Sequence, residues 1–286
     1  MPKRRVLAGL LALLAGTPLG APLAPAAAEE LSKPRIPNFF DPNYRLPKPE
    51  LGQVKSIRFL TTDDFPPFHF ALPDGSLAGL DIDLARAICD DLQIACTIQA
   101  RRFDKLIPQI KEDRDDALIA AVVNSPATRA GLDFTAPYYK TPARFVTAAA
   151  SKLQRVTPEA LAGRTIGVEA GTAHEAYLRA FFPKIILKTL PNQPSLRAAL
   201  QKSDVEAIFG DGIALALWLN GAESKSCCAF RGGPYTESHF FGNGVSIAVA
   251  KGNVTLRQTL DYELARIAKN GTFADLYLKY FPIGFY

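Results

Sequence analysis

Arg129 follows Ser125-Pro126 at the turn expected beyond a strand end, and its planar five-donor fork suits bidentate capture of a carboxylate. A solvated surface arginine or a structural ion pair fits the same spacing, and spacing alone favours those plainer roles. Gly171-Thr172 lies between a short apolar run and a 3.6-period segment, so it opens a helix whose free amides and dipole favour an anion. Junctions of this kind are common, and packing accounts for one equally well. Asp211 follows the apolar Ala207–Phe209 and precedes Ile213, which is the place of a helix N-cap. Phe65, beside Pro66-Pro67, and Phe103, at a helix start, fall at strand ends, where open α/β sheets present ligands. Phe68 reads as core.

The cysteines add constraint rather than chemistry. Cys89 ends an amphipathic run and Cys96 lies in the short apolar run after it, so a bridge between them staples a helix to the following strand. By loop entropy such a bridge is worth roughly 2 to 3 kcal/mol at most, and two buried thiols are the alternative. Cys227-Cys228 is either a vicinal disulfide or a free pair in a loop. His69, His174 and His239 are scattered far from both pairs, which disfavours zinc. No metal and no cofactor is expected.

From Ile57 onward short apolar runs alternate with 3.6-period segments, the pattern of α/β architecture with mainly parallel pairing. Strands are expected at Ile57–Thr61, Ile94–Gln99, Ala117–Val123, Thr165–Val168, Ile185–Thr189, Ala207–Phe209 and Val245–Ala250. Helices are expected at Ile82–Leu92, Phe103–Lys111, Thr172–Phe182, Ser195–Gln201, Ile213–Asn220, Leu256–Lys269 and Phe273–Tyr280. Asp81 is placed to cap the first helix, with Asp83 adding charge that its dipole favours, and Thr157-Pro158-Glu159 reads as another capped start. So many helix-flanked strands point to two lobes rather than one sheet.

The motifs Thr62-Asp63-Asp64-Phe65-Pro66-Pro67-Phe68, Gly79-Leu80-Asp81-Ile82-Asp83-Leu84-Ala85, Phe103-Asp104-Lys105-Leu106-Ile107-Pro108, Asp133-Phe134-Thr135 with Pro137-Tyr138-Tyr139, Gly171-Thr172 and Phe209-Gly210-Asp211 occur in a telling order. Together, over roughly residues 54–280, they resemble the periplasmic polar amino-acid-binding proteins of ABC importers. The seven-residue step from Cys89 to Cys96 is similar to a disulfide of the histidine and lysine/arginine/ornithine binders. The resemblance implies a bilobed type II periplasmic-binding-protein fold, two mixed-sheet lobes joined by a two-strand hinge. Lobe 1 would comprise 54–142 and 244–286, lobe 2 143–243, with hinge strands near Arg144–Thr147 and Phe241–Ser246. Ligand would lie in the cleft and closure would bury it.

That resemblance also assigns roles. It implies that Arg129 takes a ligand carboxylate with the Gly171-Thr172 helix start, that Asp211 takes the ammonium, and that Phe65 and Phe103 pack on the ligand's apolar stem. Glu169 and His174 face the cleft from lobe 2 and either set specificity or stand exposed. Two departures stand out. Ala120, Ala121, Val122 and Val123 replace serines that help bind the ammonium, leaving Asn124 and Ser125 as the polar groups there. Thr62 occupies the position that is Asp in binders of basic amino acids, although Asp63 or Asp64 substitutes if the register slips by one.

Composition bounds the rest. The chain has 286 residues, and 48% hydrophobic with 21% charged residues is ordinary globular composition. Lys3, Arg4 and Arg5, the apolar run Val6–Ala15 and Ala26-Ala27-Ala28 read as a secretory leader cut after Ala28. Its loss lowers Lys+Arg from 33 to about 30 against 28 acids, too balanced for nucleic acid, whose binding rests on many basic side chains. Residues 29–53 hold five prolines and read as an extended arm with Phe39, Phe40 and Tyr44 as anchors. The resemblance implies a periplasmic monomer that delivers an amino acid or derivative to an inner-membrane ABC permease. The other readings are an exported cyclohexadienyl or arogenate dehydratase, which shares this fold, and an accessory or sensor binding module.

Overall fold

The computed structural model describes residues 46, 48–110, 116–122, 124–281 and 284. The expected leader, most of the arm with its three aromatic anchors, Lys111 and Val123 lie outside the described residues.

Two five-stranded sheets carry the chain. The first runs Ala95–Ala100, Ser56–Thr61, Asp116–Leu118, Ala248–Ala250, Leu132–Phe134 in spatial order. Its first three strands are parallel, and Ala248–Ala250 is antiparallel to both its neighbours. The second sheet runs Ile186–Leu190, Thr165–Glu169, Ala207–Asp211, Ala143–Ala148, Cys228–Tyr235, again with three parallel strands followed by antiparallel ones. The two sheets thus repeat one topology, the bilobed type II arrangement. Both faces of each are covered, as parallel strands require. Alternation along Ala207–Asp211 shows this directly: Ala207 and Phe209 join one apolar cluster and Ile208 the other.

The chain passes between sheets twice. Tyr139 pairs with Val245 in an antiparallel bridge, with Val245 N donating to Tyr139 O at 2.8 Å and Tyr138 N to Val245 O at 2.9 Å. Arg144–Thr147, expected at the crossing, instead lies inside a strand of the second sheet. Phe241 ends a short helix, Ser238–Phe241.

The first helix, Leu80–Leu92, buries Leu80, Ile82, Leu84, Ala85, Ile88 and Cys89 along one stripe. Its start differs from expectation. Leu80 N and Asp81 N donate to Pro67 O (3.0 Å) and Phe68 O (2.8 Å) of the preceding hairpin, so backbone carbonyls satisfy the first amides. Asp81 is therefore no cap. It is fully buried, accepting from Tyr138 Oη at 2.8 Å and lying 2.8 Å from His69 Nδ1. The helix ends at Gln93 in the left-handed region (φ 55), and Cys89 bonds to Cys96 of the next strand across a Cα–Cα span of 6.0 Å. Cys227 and Cys228 bond to each other.

Other differences have local causes. The strand expected over Ala117–Val123 stops at Leu118, and Ala121 has φ 51, which no strand tolerates. Thr157 Oγ1 does accept from Ala160 N at 3.3 Å, but the segment forms turns and no helix. Cys228–Tyr235 is a further strand at the sheet edge, where a register shift between Arg231 and Tyr235 absorbs Gly232, Gly233 and Pro234.

Gly79 is where hairpin and helix come closest. Its φ is +127, and a Cβ there would lie 2.2 Å from Phe68 O, whereas Gly75 (φ +82) has open space around it. Gly79→Ala should therefore cost at least about 2 kcal/mol and Gly75→Ala about 1 kcal/mol, the second from backbone strain alone. Urea unfolding of the two variants checks the order.

Candidate functional site

Every predicted site residue lies at or beyond the carboxyl end of a strand, the edge where open α/β sheets leave room for ligand. On the first sheet, Thr62 directly follows Ser56–Thr61 and is buried, while Phe103 opens the helix after Ala95–Ala100 and is 58% exposed. The two line one surface hollow, with Asp63, Asp64 and Arg101. Phe65 is 46% exposed and stacks on the buried Phe68 at 5.5 Å, which in turn stacks on Tyr139 at 4.6 Å. Phe68 is core, as expected.

Arg129 closes a four-residue helix, Pro126–Arg129, whose start is fixed by a capping box: Ser125 Oγ accepts from Thr128 N and Thr128 Oγ1 accepts from Ser125 N. The arginine is exposed, and its Nε donates to Asn124 Oδ1. That bond aims the guanidinium and leaves its terminal nitrogens for another group. Asn124 and Arg129 share a second hollow with Asp133, Asn243, Ser246 and Lys251. Ser246 and Asn243 belong to the returning crossing segment.

The second sheet carries the other group. Thr172 caps the helix Ala173–Phe181, accepting from Glu175 N at 3.3 Å and donating to Glu169 O at 2.8 Å. Glu175 turns back and its carboxylate accepts from Gly171 N at 2.7 Å. One amide expected to be free for a ligand anion is thus occupied. Glu169 is half-buried and accepts from Gln193 Nε2. Gln193 is the residue that sequence reasoning missed: Asn192 and Pro194 mark a helix start, but nothing in the pattern says that Gln193 reaches back across 24 residues.

His174 is half-buried, with its ring 5.3 Å from Phe241 and 5.9 Å from Phe209. Burial pulls its pKa down to about 4, against the pull of Glu169 in the other direction. The ring is neutral at physiological pH. Asp211 ends the strand Ala207–Asp211 and caps the next helix, accepting from Ala214 N at 2.7 Å. Burial raises its pKa to about 6, although the amides of Ala214 and Ile213 favour the charged form. Its field extends to the crossing segment, where burial, then Asp81 and then Asp211 raise the Tyr139 pKa.

The structure therefore gathers Thr62 and Phe103 in one hollow, Asn124 and Arg129 in another, and Glu169, Thr172 and His174 around one helix start, with Asp211 on the neighbouring strand. Residues 57–283 match the bacterial extracellular solute-binding proteins, family 3. The chain belongs to that family. Among its relatives, a putative ABC transporter arginine-binding protein 2 of Escherichia coli (strain K12) is 31% identical, covering 80% of this chain and 91% of that one. An L-arginine-binding protein of Pseudomonas aeruginosa is 30% identical over 83% and 92%. Among solved structures, the L-cystine solute receptor of Neisseria gonorrhoeae, unliganded and open, is similar with TM-score 0.70 at 17% identity, covering 82% of this chain and 96% of that one. An ancestral cyclohexadienyl dehydratase is similar with TM-score 0.66 at 18% identity over 84% and 99%. At those identities the structures speak to fold, and the fold is that of this solute-binding family.

His174 and Asp211 titrate with opposite consequences. The folded-state pKa of His174 is below its ordinary value near 6.5, so stability is lost as pH falls from about 6.5 to 4. Asp211 is raised above its ordinary value, so its charge costs stability at neutral pH and protonation between about 6 and 4 relieves it. In urea unfolding, His174→Gln should lose less stability than wild type between pH 7 and 5, and Asp211→Asn should lose more. At pH 7 the Asn variant, which keeps a capping oxygen, should gain about 1 kcal/mol once solvent screening is allowed for.

Proposed function

We propose that the protein is a periplasmic carrier for an α-amino acid, holding the carboxylate at Arg129 and the ammonium at Asp211. The observation that carries this is the placement of one exposed arginine fork, with no ion pair among the described residues, beyond a strand of the first sheet and one destabilised carboxylate at the end of a strand of the second. A zwitterion satisfies both only by touching both lobes, so ligand contacts favour the closed state by their differential affinity. Phe65, exposed in the hairpin after Ser56–Thr61, and Phe103, exposed at the helix start after Ala95–Ala100, cover the ligand's apolar stem. Asn124 orients Arg129, and Thr172, its hydroxyl proton taken by Glu169 O, caps the helix whose start faces the carboxylate.

Glu169 and His174 then read the side chain. Glu169 is the carboxylate that meets a cationic group, and arginine, the ligand named for two relatives, is the first to test. Thr62, buried in place of an acid, carries no charge itself, and Asp63 or Asp64 of the same hollow is the acid that this side offers such a ligand. After leader removal the loaded monomer hands its ligand to an inner-membrane ABC permease, with no nucleic-acid partner and no cofactor.

The dehydratase reading would need an acid to protonate a leaving hydroxyl. A neutral His174 is not that acid, and Glu169 is engaged by Gln193. The protein is therefore read as a carrier and no enzyme.

Calorimetric titration with arginine, lysine, histidine and glutamine tests the proposal. Arg129→Ala and Asp211→Asn should each weaken the Kd at least about 100-fold, the scale of truncating one partner of a buried charge pair, while Asp211→Asn melts no lower than wild type. Because pairing with an ammonium lowers the Asp211 pKa, wild-type affinity should fall as pH drops below about 6. Binding of simple acids that ignores Asp211, or turnover of prephenate or arogenate, would overturn the reading.

A further inference from the structure

The helix Val254–Lys269 follows Ala248–Ala250, the strand that returns to the first sheet, and it packs against the first helix, Leu80–Leu92. Two stretches of chain separated by the whole second sheet meet there. Leu256, Leu260, Leu264 and Ile267 join Leu84, Ile88 and Cys89 in one apolar cluster. Glu263 interrupts it. This side chain has no exposed surface, and Arg266 binds both it and Asp91 of the first helix, with Nη1 donating to Glu263 Oε1 at 3.3 Å and Nη2 to Asp91 Oδ1 at 3.0 Å. Each carboxyl thus spends one oxygen on the same guanidinium. The other two oxygens, Glu263 Oε2 and Asp91 Oδ2, are buried with no hydrogen-bond partner among the described residues, and the two carboxyl groups lie within hydrogen-bonding reach of each other.

Two carboxylates against one arginine leave a net negative charge where water is excluded, and two acceptors cannot satisfy one another. One proton removes both difficulties. Between the orphaned oxygens it makes one group a donor and the other an acceptor, and it brings the cluster with Arg266 to neutrality. Burial, and after it the Asp91 carboxyl, pushes the Glu263 pKa up to about 7, with Arg266 pulling the other way. The remaining charged groups on the packed elements are engaged elsewhere or face solvent. Asp81 is held by Tyr138 and His69, Asp83 by Lys279, Tyr280 and Arg86, and Asp261 by Arg257 and Ala136 N. Asp90, Lys269 and Asp275 are exposed, and Ala248–Ala250 carries no ionisable side chain. Tyr262 lies beside the Arg266 guanidinium, 5.9 Å from ring centroid to Cζ, and Tyr277 is a buried phenol.

We propose that Asp91 and Glu263 share one proton, a clasp that fastens the returning stretch of chain to the first helix and opens as the surroundings turn from mildly acidic to alkaline. Loss of the proton sets two buried like charges against each other at the joint. Because the folded-state pKa of Glu263 lies above its ordinary value of 4.5, the contribution is complete at low pH and is lost as pH rises from about 4.5 to 7. The clasp does not rest on the carrier reading, and its test needs no amino acid.

Urea unfolding between pH 5 and 9 compares wild type with Glu263→Gln and Asp91→Asn. Each variant keeps an oxygen for Arg266 and supplies an amide donor in place of the shared proton. The folding constant of each, relative to wild type, should therefore rise by up to about tenfold per pH unit between pH 5 and 7 and level off above pH 8. His174 and Asp211 titrate alike in all three proteins and cancel in that ratio. Wild-type crystals at pH 6 should show Glu263 Oε2 and Asp91 Oδ2 about 2.5–2.7 Å apart, the length of an O–H···O⁻ bond, a readout that needs no variant to fold. Parallel pH profiles in wild type and both variants, or a wider gap at pH 6 filled by water or a sodium ion, would overturn the proposal.

Discussion

Asp81 is the group on which the first lobe turns. A carboxylate buried to this extent pays a desolvation cost, visible in its raised pKa, and persists because Tyr138 and His69 supply donors to its two oxygens. Each donor comes from a different element. His69 belongs to the hairpin that presents Phe65, Tyr138 precedes the crossing bridge at Tyr139, and Asp81 itself opens the first helix. One buried network therefore fixes the hairpin that carries the exposed Phe65 relative to the segment in which the chain crosses between the sheets. The Phe65–Phe68–Tyr139 stack runs alongside and repeats the linkage through apolar contact. Removing the acid would leave two buried donors unsatisfied, which costs more than the net worth of either bond.

The second lobe holds its polar groups differently. Asp211 must cap a helix and, in the proposed role, meet an ammonium, and these duties are compatible because a carboxylate has more acceptor sites than the helix amides use. Its raised pKa means the ligand-free site stores electrostatic cost that a cation can relieve, which is how a weakly solvated acid favours a charged partner over water. His174, a few residues from Glu169, is desolvated as well, but as a base it responds by shedding its proton. Burial thus pushes the acid toward its neutral form and the base toward its own, lowering the charge carried by this wall. A neutral ring beside Phe209 and Phe241 behaves as part of the aromatic cluster and leaves Glu169 as the charged group facing the helix start.

The parallel strands and the residues just beyond them were legible in the sequence because two signals coincide there. An apolar run of four or five residues marks the strand, and the first polar or glycine residue after it marks the edge where ligands bind. Glu169, Thr172 and Asp211 sit on or just past such boundaries, whereas Arg129 lies further on, at the end of the short helix Pro126–Arg129. What escaped was set by contacts with no local period. Asp81 looked like a cap because sequence shows the acid before a helix but not the hairpin carbonyls that had already taken its amides. Gln193 reads as an ordinary first-turn residue, yet a long side chain can reach a neighbouring strand that lies 24 positions away in the chain. Arg144 carried still less signal: a lone arginine within an apolar strand is ambiguous until the opposing residues are known. Backbone periodicity reports where elements lie, whereas the long polar side chains that support a site are fixed by tertiary neighbours.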